Sequence, residues 1–486
     1  MHNILIRVLL LLWVVSGCFS ETVAADERPP NFVVIFVDDL GYGDLGCFGS
    51  TTIKTPHIDQ LAAEGMRLTS FYAQTVCGPS RAALMTGSYP LRVAIRQNKV
   101  EVHPELHPDE ITIAEVLKPA GYASAAFGKW DLAGHRGDRY VPTLLPLYQG
   151  FDEFFGTSTS NDTRVDLIRG NEMVETKADM RLLTERYTDE AIDFIRRKGD
   201  QPFFVYLAHS MPHVTLAASD DFRGRSAGGL YGDVVEEIDA NVGRIMKSLT
   251  DMGLDEHTYV VFTSDNGPWY LGRSPAHRKR FGIDAASHGG SAAPLRGAKT
   301  STWEGGLRVP CIIWAPGKVP AGTTCDEIAS TMDLLPTFAD LAAVDVPTDR
   351  VIDGHDIGDL MHGVEDATSP TDAFYFYRRT RLEAVRSGKW KLHRALPADK
   401  TWARYSKAED SIDINLPMLF DLQTDVGESN DVADEHPEKV AELLQLIEQA
   451  RIDIGDYDRV GENARFFDPQ PHRPDIRVPV SSNAQQ

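Results

Sequence analysis

The chain has 486 residues, 42% of them hydrophobic and 25% charged, which fits a large globular protein and excludes wholesale disorder. With 71 acidic against 49 basic residues the net charge is −22. That excludes nonspecific binding to nucleic acid and requires a local basic pocket for any anionic substrate.

The first element is a leader. Arg7 precedes an apolar run from Val8 to Val15, too short to span a bilayer and typical of a signal peptide, so residues 1–25 are assigned to it. Two endings are open: cleavage after Ala25, giving a soluble protein, or a lipid anchor on Cys18 in the lipobox-like "VSGC". Both predict export, to the periplasm or outside the cell, with no transmembrane span. Apolar runs then alternate with helical segments, which predicts an α/β fold with a large, mostly parallel sheet covered by helices on both faces.

"NFVVIFVDDLGYGD" (31–44) reads as a buried strand ending in Asp38 and Asp39. "VCGPSRAALMTG" (76–87) opens a helix, with Pro79 in its first turn, Cys77 at the positive end of the dipole and Arg81 one turn on. "ITIAEVLKPAGYASAAFGKWDL" (111–132) is a helix, a turn at Gly121 and a strand delivering Lys129. "QPFFVYLAHSMPH" (201–213) is a strand ending in His209 and His213, and "TYVVFTSDNG" (258–267) one ending in Asp265 and Asn266. In open α/β sheets ligands bind beyond the carboxyl ends of the strands, so four polar endings at one edge predict a site.

Residues 215–245 include an amphipathic helix without evident chemistry. The long irregular stretch 268–298 carries "AHRKRFG", where Arg278 and Arg280 flank Lys279 after His277. It is either a solvated basic turn or a subsite for a polyanionic ligand. His288, in "SHGGSAAPLRG", is a further candidate for the pocket wall. From about Asp372 the pattern changes to short strands, "AFYFYR", "LEAVRSGKWKLHR" and "PMLFDLQTD", predicting a small antiparallel sheet followed by a helix near 436–452. The expected division is a catalytic domain over 26–370, an α+β subdomain over 371–465 and a surface tail over 466–486.

Asp38, Asp39, Asp265 and Asn266 offer hard oxygen ligands, suited to Ca²⁺ or Mg²⁺ rather than zinc. Singly, Asp-Asp and Asp-Asn-Gly are also turn formers that cap strands; together they point to a metal site. Besides Cys18 and Cys77 there are Cys47, placed near the first motif, Cys311, placed in a core strand, and Cys325, placed in a polar loop. None has metal-site spacing, and no C-x-x-C supports redox chemistry at Cys77.

"CGPSRAALMTG" resembles the C-x-P-S-R…TG signature of the type I, formylglycine-dependent sulfatases of the alkaline phosphatase superfamily. "VDDLGYGDLGCFG", "GYASAAFGKW", "GFDEFFGTSTSND", "FTSDNG", "LRGAKTSTWEGGLRVP" and "MDLLPTFADLA" extend the likeness over roughly residues 31–340, and "LFDLQTDVGESND" carries it into the C-terminal part. The resemblance implies hydrolysis of sulfate esters, on a sulfated small molecule or glycan. Cys77 would be converted to formylglycine by a formylglycine-generating or anaerobic sulfatase-maturating enzyme. Asp38, Asp39, Asp265 and Asn266 would hold Ca²⁺, ahead of Mg²⁺, with residue 77 completing the shell. Arg81 and Lys129 would hold residue 77 and the developing charge, His213 and Lys299 would bind the sulfate and protonate the leaving alcohol, and Ser160 would support the site. Asp265 would deprotonate one hydroxyl of the aldehyde hydrate for attack on sulfur, giving a sulfated enzyme. Loss of the second hydroxyl's proton then expels sulfate.

His209 competes with His213 for its role. One position departs from the family pattern: after Gly-Lys-Trp the usual residue is histidine, and this chain has Asp131, with His135 four residues on. Two other readings stay open, a phosphodiester or phosphonate monoester hydrolase with the same nucleophile, and an inactive sulfoglycan-binding lipoprotein.

Overall fold

The computed structural model describes residues 28–93, 106, 109–134, 140–162, 164–269, 289–396 and 416–465. Strand β1 (Asn31–Val37) is buried along its whole length, as expected for an apolar run flanked on both sides. In chain order there follow β2 (Met66–Leu68), β3 (Phe71–Tyr72), β4 (Ala123–Lys129), β5 (Glu153–Thr157), β6 (Leu167–Arg169), β7 (Glu172–Glu175), β8 (Phe203–His209), β9 (Thr258–Ser264), β10 (Cys311–Trp314), β11 (Thr323–Cys325) and β12 (Ala329–Ser330). Ten of them form one mixed sheet in the order β11-β2-β10-β9-β1-β8-β4-β5-β6-β7, while β3 pairs with β12. The block β9-β1-β8-β4-β5 is parallel. Its register sets Val37 beside both His209 and Ser264, so the carboxyl ends of β1, β8 and β9 share one edge.

Helices α1 (Pro56–Glu64), α2 (Cys77–Thr86), α3 (Pro90–Val93), α4 (Ile113–Leu117), α5 (Leu183–Lys198) and α6 (Gly229–Asp251) lie with a later helix, Leu334–Leu341, on the two faces. Strand alternation divides the core. Phe32, Val34 and Phe36 pack with residues of α2, α4 and Leu334–Leu341, whereas Val33, Ile35 and Val37 pack with α1, α5 and α6. Gly128 in β4 lets the neighbouring backbone come close, since a Cβ there would lie 1.9 Å from the Ala208 carbonyl oxygen.

The C-terminal antiparallel sheet comprises β13 (Phe374–Arg378), β14 (Arg381–Ser387), β15 (Trp390–His393) and β16 (Met418–Asp421), with the helix Pro437–Asp453 against it. Its Phe374, Phe376 and Leu382 share a core with Tyr72, Ala83 and Leu307, so the sheet is packed directly behind α2. The mixed architecture and the small second sheet are those the sequence led one to expect. One placement is corrected: Cys325 ends edge strand β11, opposite Leu68, because a polar strand is tolerated where one side faces solvent. No helix among the described residues is long and apolar enough to cross a membrane. The leader with Cys18 and the tail 466–486 lie outside the described residues.

Candidate active site

Strands of the parallel block deliver polar residues at their carboxyl ends. After β1 come Asp38 and Asp39, the latter at φ 66°, a left-handed conformation that Asp tolerates. The Asp39 N–H donates to Asp265 Oδ1 at 3.0 Å, and the Asp265 N–H to the Val37 carbonyl at 3.0 Å, which locks the two strand ends together. Lys129 closes β4, with Nζ 2.6 Å from Asp38 Oδ2. Helix α2 starts at Cys77, is buried along its length and stops at Gly87, which takes φ 63° and donates its N–H to the Ala83 carbonyl.

Arg81, one turn into α2, is fully buried and does not hydrogen-bond residue 77. Its NH2 lies 2.8 Å from Asp265 Oδ2 and 3.6 Å from Asp38 Oδ2, while NH1 donates to the Lys129 carbonyl (2.8 Å) and the Tyr206 hydroxyl (3.1 Å). The group that reaches Cys77 is Lys299, whose Nζ donates to Sγ at 3.2 Å and to Asp39 Oδ1 at 2.5 Å. Asp38, Asp39, Cys77 and His213 each turn one possible ligand atom inward, all within 4.8 Å of one another. Asn266 donates through Nδ2 to Asp39 Oδ1 at 2.7 Å.

A divalent cation fits this group on the chemistry of its donors. Asp38 Oδ1, Asp39 Oδ2 and Asn266 Oδ1 are buried without a hydrogen-bond partner, and orphaned oxygens of this kind are costly unless a cation meets them. Asp265 is engaged differently, Oδ1 with the Asp39 N–H and Oδ2 with Arg81. The carboxylates Asp38, Asp39 and Asp265 face the cations Arg81, Lys129 and Lys299, so a bound dication gives the pocket the positive charge an anionic ester requires in this acidic protein.

Burial alone would raise the Asp38 carboxyl, but Lys129, His213, Arg81 and Lys299 overcome it and hold the group ionised far below the usual range. For Asp265 burial prevails, helped by the charge of Asp38 and opposed by Arg81, and lifts it to about 7. Burial, then Asp38, pushes the Cys77 thiol above its ordinary value, against the pull of Lys129 and Lys299. Burial also lowers His213.

His213 directs Nε2 toward Asp39 Oδ2 (3.7 Å) and Asp162 Oδ1 (3.8 Å). Ser160 meets the cluster through Asp162, donating to its Oδ1 at 3.0 Å. Asp131 is buried at φ 55°, with Oδ2 3.8 Å from Lys129 Nζ. His209 does not compete with His213. Alternation puts it with Val205 and Leu207 on the opposite face from Tyr206, burial is the only influence on its imidazole, and neither ring nitrogen is hydrogen-bonded. Arg278, Arg280, His288 and His135 lie outside the described residues.

Four residues of the cluster were not singled out from sequence. Asn161 and Asp162 stand beside Ser160 in "TSTSND", and Asn161 donates to the His213 carbonyl at 3.2 Å. Tyr206 reads as ordinary strand core. Trp269 follows Asp265-Asn266-Gly267-Pro268 directly, packs against the His213 ring (5.3 Å between centroids) and receives the Lys299 ammonium 4.6 Å from its own centroid. An aromatic two residues past a site-forming turn was the available signal.

The sulfatase family model matches residues 30–344, and the model for the C-terminal region of aryl-sulfatase matches residues 369–469. The chain is 37% identical over 462 residues to N-acetylgalactosamine-6-sulfatase of Canis lupus familiaris, covering 86% of this chain and 84% of that one. It is 36% identical over 468 residues to arylsulfatase A of Homo sapiens, covering 88% of each. The PsFucS1 sulfatase from Pseudoalteromonas sp. superposes with a TM-score of 0.73 at 26% identity, over 87% of this chain and 90% of that one. The strand-end cluster of acids, lysines, Arg81 and Cys77 thus sits inside a stretch matched along almost its whole length, and the chain belongs to the sulfatase family, as a hydrolase of sulfate esters.

Proposed function

We propose that residue 77 acts as a formylglycine made from Cys77, and that Asp38, Asp39, Asp265, Asn266 and residue 77 hold Ca²⁺. The observation that carries this reading is the buried Cys77 thiol inside a cluster of acids and cations, with Lys299 3.2 Å from its sulfur. As an aldehyde hydrate, residue 77 supplies one hydroxyl to attack sulfur and a second whose ionisation expels sulfate, so no free water has to reach sulfur. A cation held there would supply Lewis-acid polarisation of the ester, and Ca²⁺ suits an all-oxygen set better than zinc does.

The chain's own groups perform the remaining tasks. Lys129 and Lys299 neutralise charge on the sulfuryl oxygens, with donors already in place before reaction. Arg81 holds Asp265, Asp38 and the Lys129 carbonyl in one frame. Asp265, buried at the end of β9 among these groups, is the carboxylate we assign to take a proton from residue 77. His213 and Lys299 bind the ester and hand a proton to the departing alcohol. Asp131 stands at the sequence position at which the family's usual histidine would assist release of sulfate, and a carboxylate can also accept that proton, as a weaker base.

The substrate we infer is a sulfated carbohydrate of an exported degradative system. In support, one relative is named for a sulfated amino sugar, and export is what the leader predicts. Mass spectrometry of the peptide containing residue 77, combined with rates on matched sulfate and phosphate esters, tests the reading. A cysteine-to-aldehyde mass change with faster turnover of the sulfate ester is expected. Full activity with an unmodified thiol refutes the nucleophile, and faster turnover of the phosphate ester refutes the substrate class.

A further inference from the structure

Lys299 stands on the segment 296–308, and the C-terminal sheet together with the loop after β16 grips that segment on both sides of it. On the near side the Arg296 guanidinium donates to the Glu428 carbonyl at 2.8 Å. On the far side Thr302 donates through Oγ1 to Glu383 Oε2 of β14 at 2.7 Å. The centre of the grip is Lys391 of β15, fully buried, with Nζ 2.9 Å from each of the Thr302 carbonyl, Glu304 Oε1 and Glu428 Oε1. Glu428 also accepts the Glu304 N–H through Oε2 at 2.7 Å.

Between these holds the backbone is strained. Thr300, β-branched and next to Lys299, sits at φ 73° with its N–H on the Thr75 carbonyl at 2.9 Å. A β-branched residue in that region is an outlier that persists only where its surroundings over-determine it. The turn after Asn266 is fitted to the same segment: the Gly267 N–H donates to the Gly306 carbonyl, and a Cβ on Gly267 would lie 1.8 Å from the Gly305 carbonyl oxygen. A buried ion triad is weak evidence for stability, because well-packed apolar side chains serve as well. Its location offers a different use.

We propose that Lys391 is a positioning residue for catalysis: its ion triad with Glu304 and Glu428 holds the strained 296–304 segment so that Lys299 stays on residue 77. The C-terminal sheet then contributes to the active site without touching substrate. The kinetic part of the test rests on the role proposed for Lys299; the exchange part does not.

The test variant is Lys391→Met/Glu428→Gln, which removes one charge of each sign and leaves the Glu304–Arg308 pair in place. Hydrogen exchange followed by mass spectrometry should show peptides over 297–302 exchanging about 10-fold faster or more, with β1, β8 and β9 as protected as before. The turnover number on a sulfate ester should fall about 10- to 100-fold, the range for a misplacement on the order of 1 Å. Adding the variant to Lys299→Met should cause no further loss. Unchanged exchange over 297–302, uniformly faster exchange, or losses that multiply with Lys299→Met would each overturn the proposal. If Lys299→Met keeps full activity, the role given to Lys299 fails, and the exchange result still decides the coupling. Should the double variant not fold, Thr302→Val removes the contact to Glu383 alone, and the same exchange readout applies.

Discussion

Arg81→Lys keeps the positive charge and removes the fork. In the native pocket NH2 serves Asp265 and Asp38 while NH1 serves the Lys129 carbonyl and the Tyr206 hydroxyl, all without solvent. A lysine has one nitrogen, which keeps the carboxylate pair and abandons the other two acceptors. Each buried acceptor left without its donor costs about 1–3 kcal/mol, so the loss of stability should be about 2–6 kcal/mol. The catalytic loss comes from the Lys129 carbonyl, because the NH1 bond fixes the end of β4 and so the height of Lys129 against Asp38. A shift on the order of 1 Å there lowers turnover about 100-fold. Urea unfolding followed by fluorescence, with initial rates on an aryl sulfate in the folded range, measures both. If Arg81→Lys unfolds within about 0.5 kcal/mol of the parent and turns over normally, charge alone suffices and the fork argument is wrong.

Asp131→Asn keeps a residue type that accepts a left-handed backbone but cannot take a proton, and turnover should fall about 100-fold with KM little changed; Asp131→His should retain activity and shift its pH profile. Treatment with a chelator should abolish activity and lower the unfolding temperature, because three buried oxygens lack a hydrogen-bond partner, and Ca²⁺ should restore both at lower concentration than Mg²⁺. His209 has its pKa lowered from 6.5 to about 4 by burial, so the unfolded chain takes up its proton before the folded one. Its stabilisation is therefore complete above pH 6.5 and is lost as pH falls toward 4, by about 3 kcal/mol at 1.36 kcal/mol per pH unit. His209→Gln should flatten that acid limb of a urea-midpoint profile, and an unchanged limb would assign the acid sensitivity to other groups.

Several parts of the site were legible from residue order because local rules generate them. A continuous apolar run followed by Asp38-Asp39 or Asp265-Asn266 places carboxylates at strand ends. Gly78-Pro79 ahead of an alanine-rich run opens α2 at Cys77. The family signature then joined these pieces. His209 was separable only once the structure had put Tyr206 in the cluster, since alternation then sends His209 to the other face. Cys325 was misplaced because a three-residue polar edge strand has no hydrophobic period to reveal it.

The sequence by itself pointed to most of the groups gathered in the cluster, Asp38, Asp39, Asp265, Lys129, Lys299 and Cys77, and to the α/β frame that carries them. Tertiary structure alone decided who touches whom. Arg81 lies one turn from Cys77 in sequence yet serves Asp265 and the end of β4, while Lys299, 222 positions away, reaches the sulfur. Helical spacing fixes the side of a helix on which a side chain emerges, but not which strand end packs there. The hold of Lys391 on the Lys299 segment likewise joins the cluster to the second sheet, and a relation between separate layers leaves no periodicity in either stretch of chain.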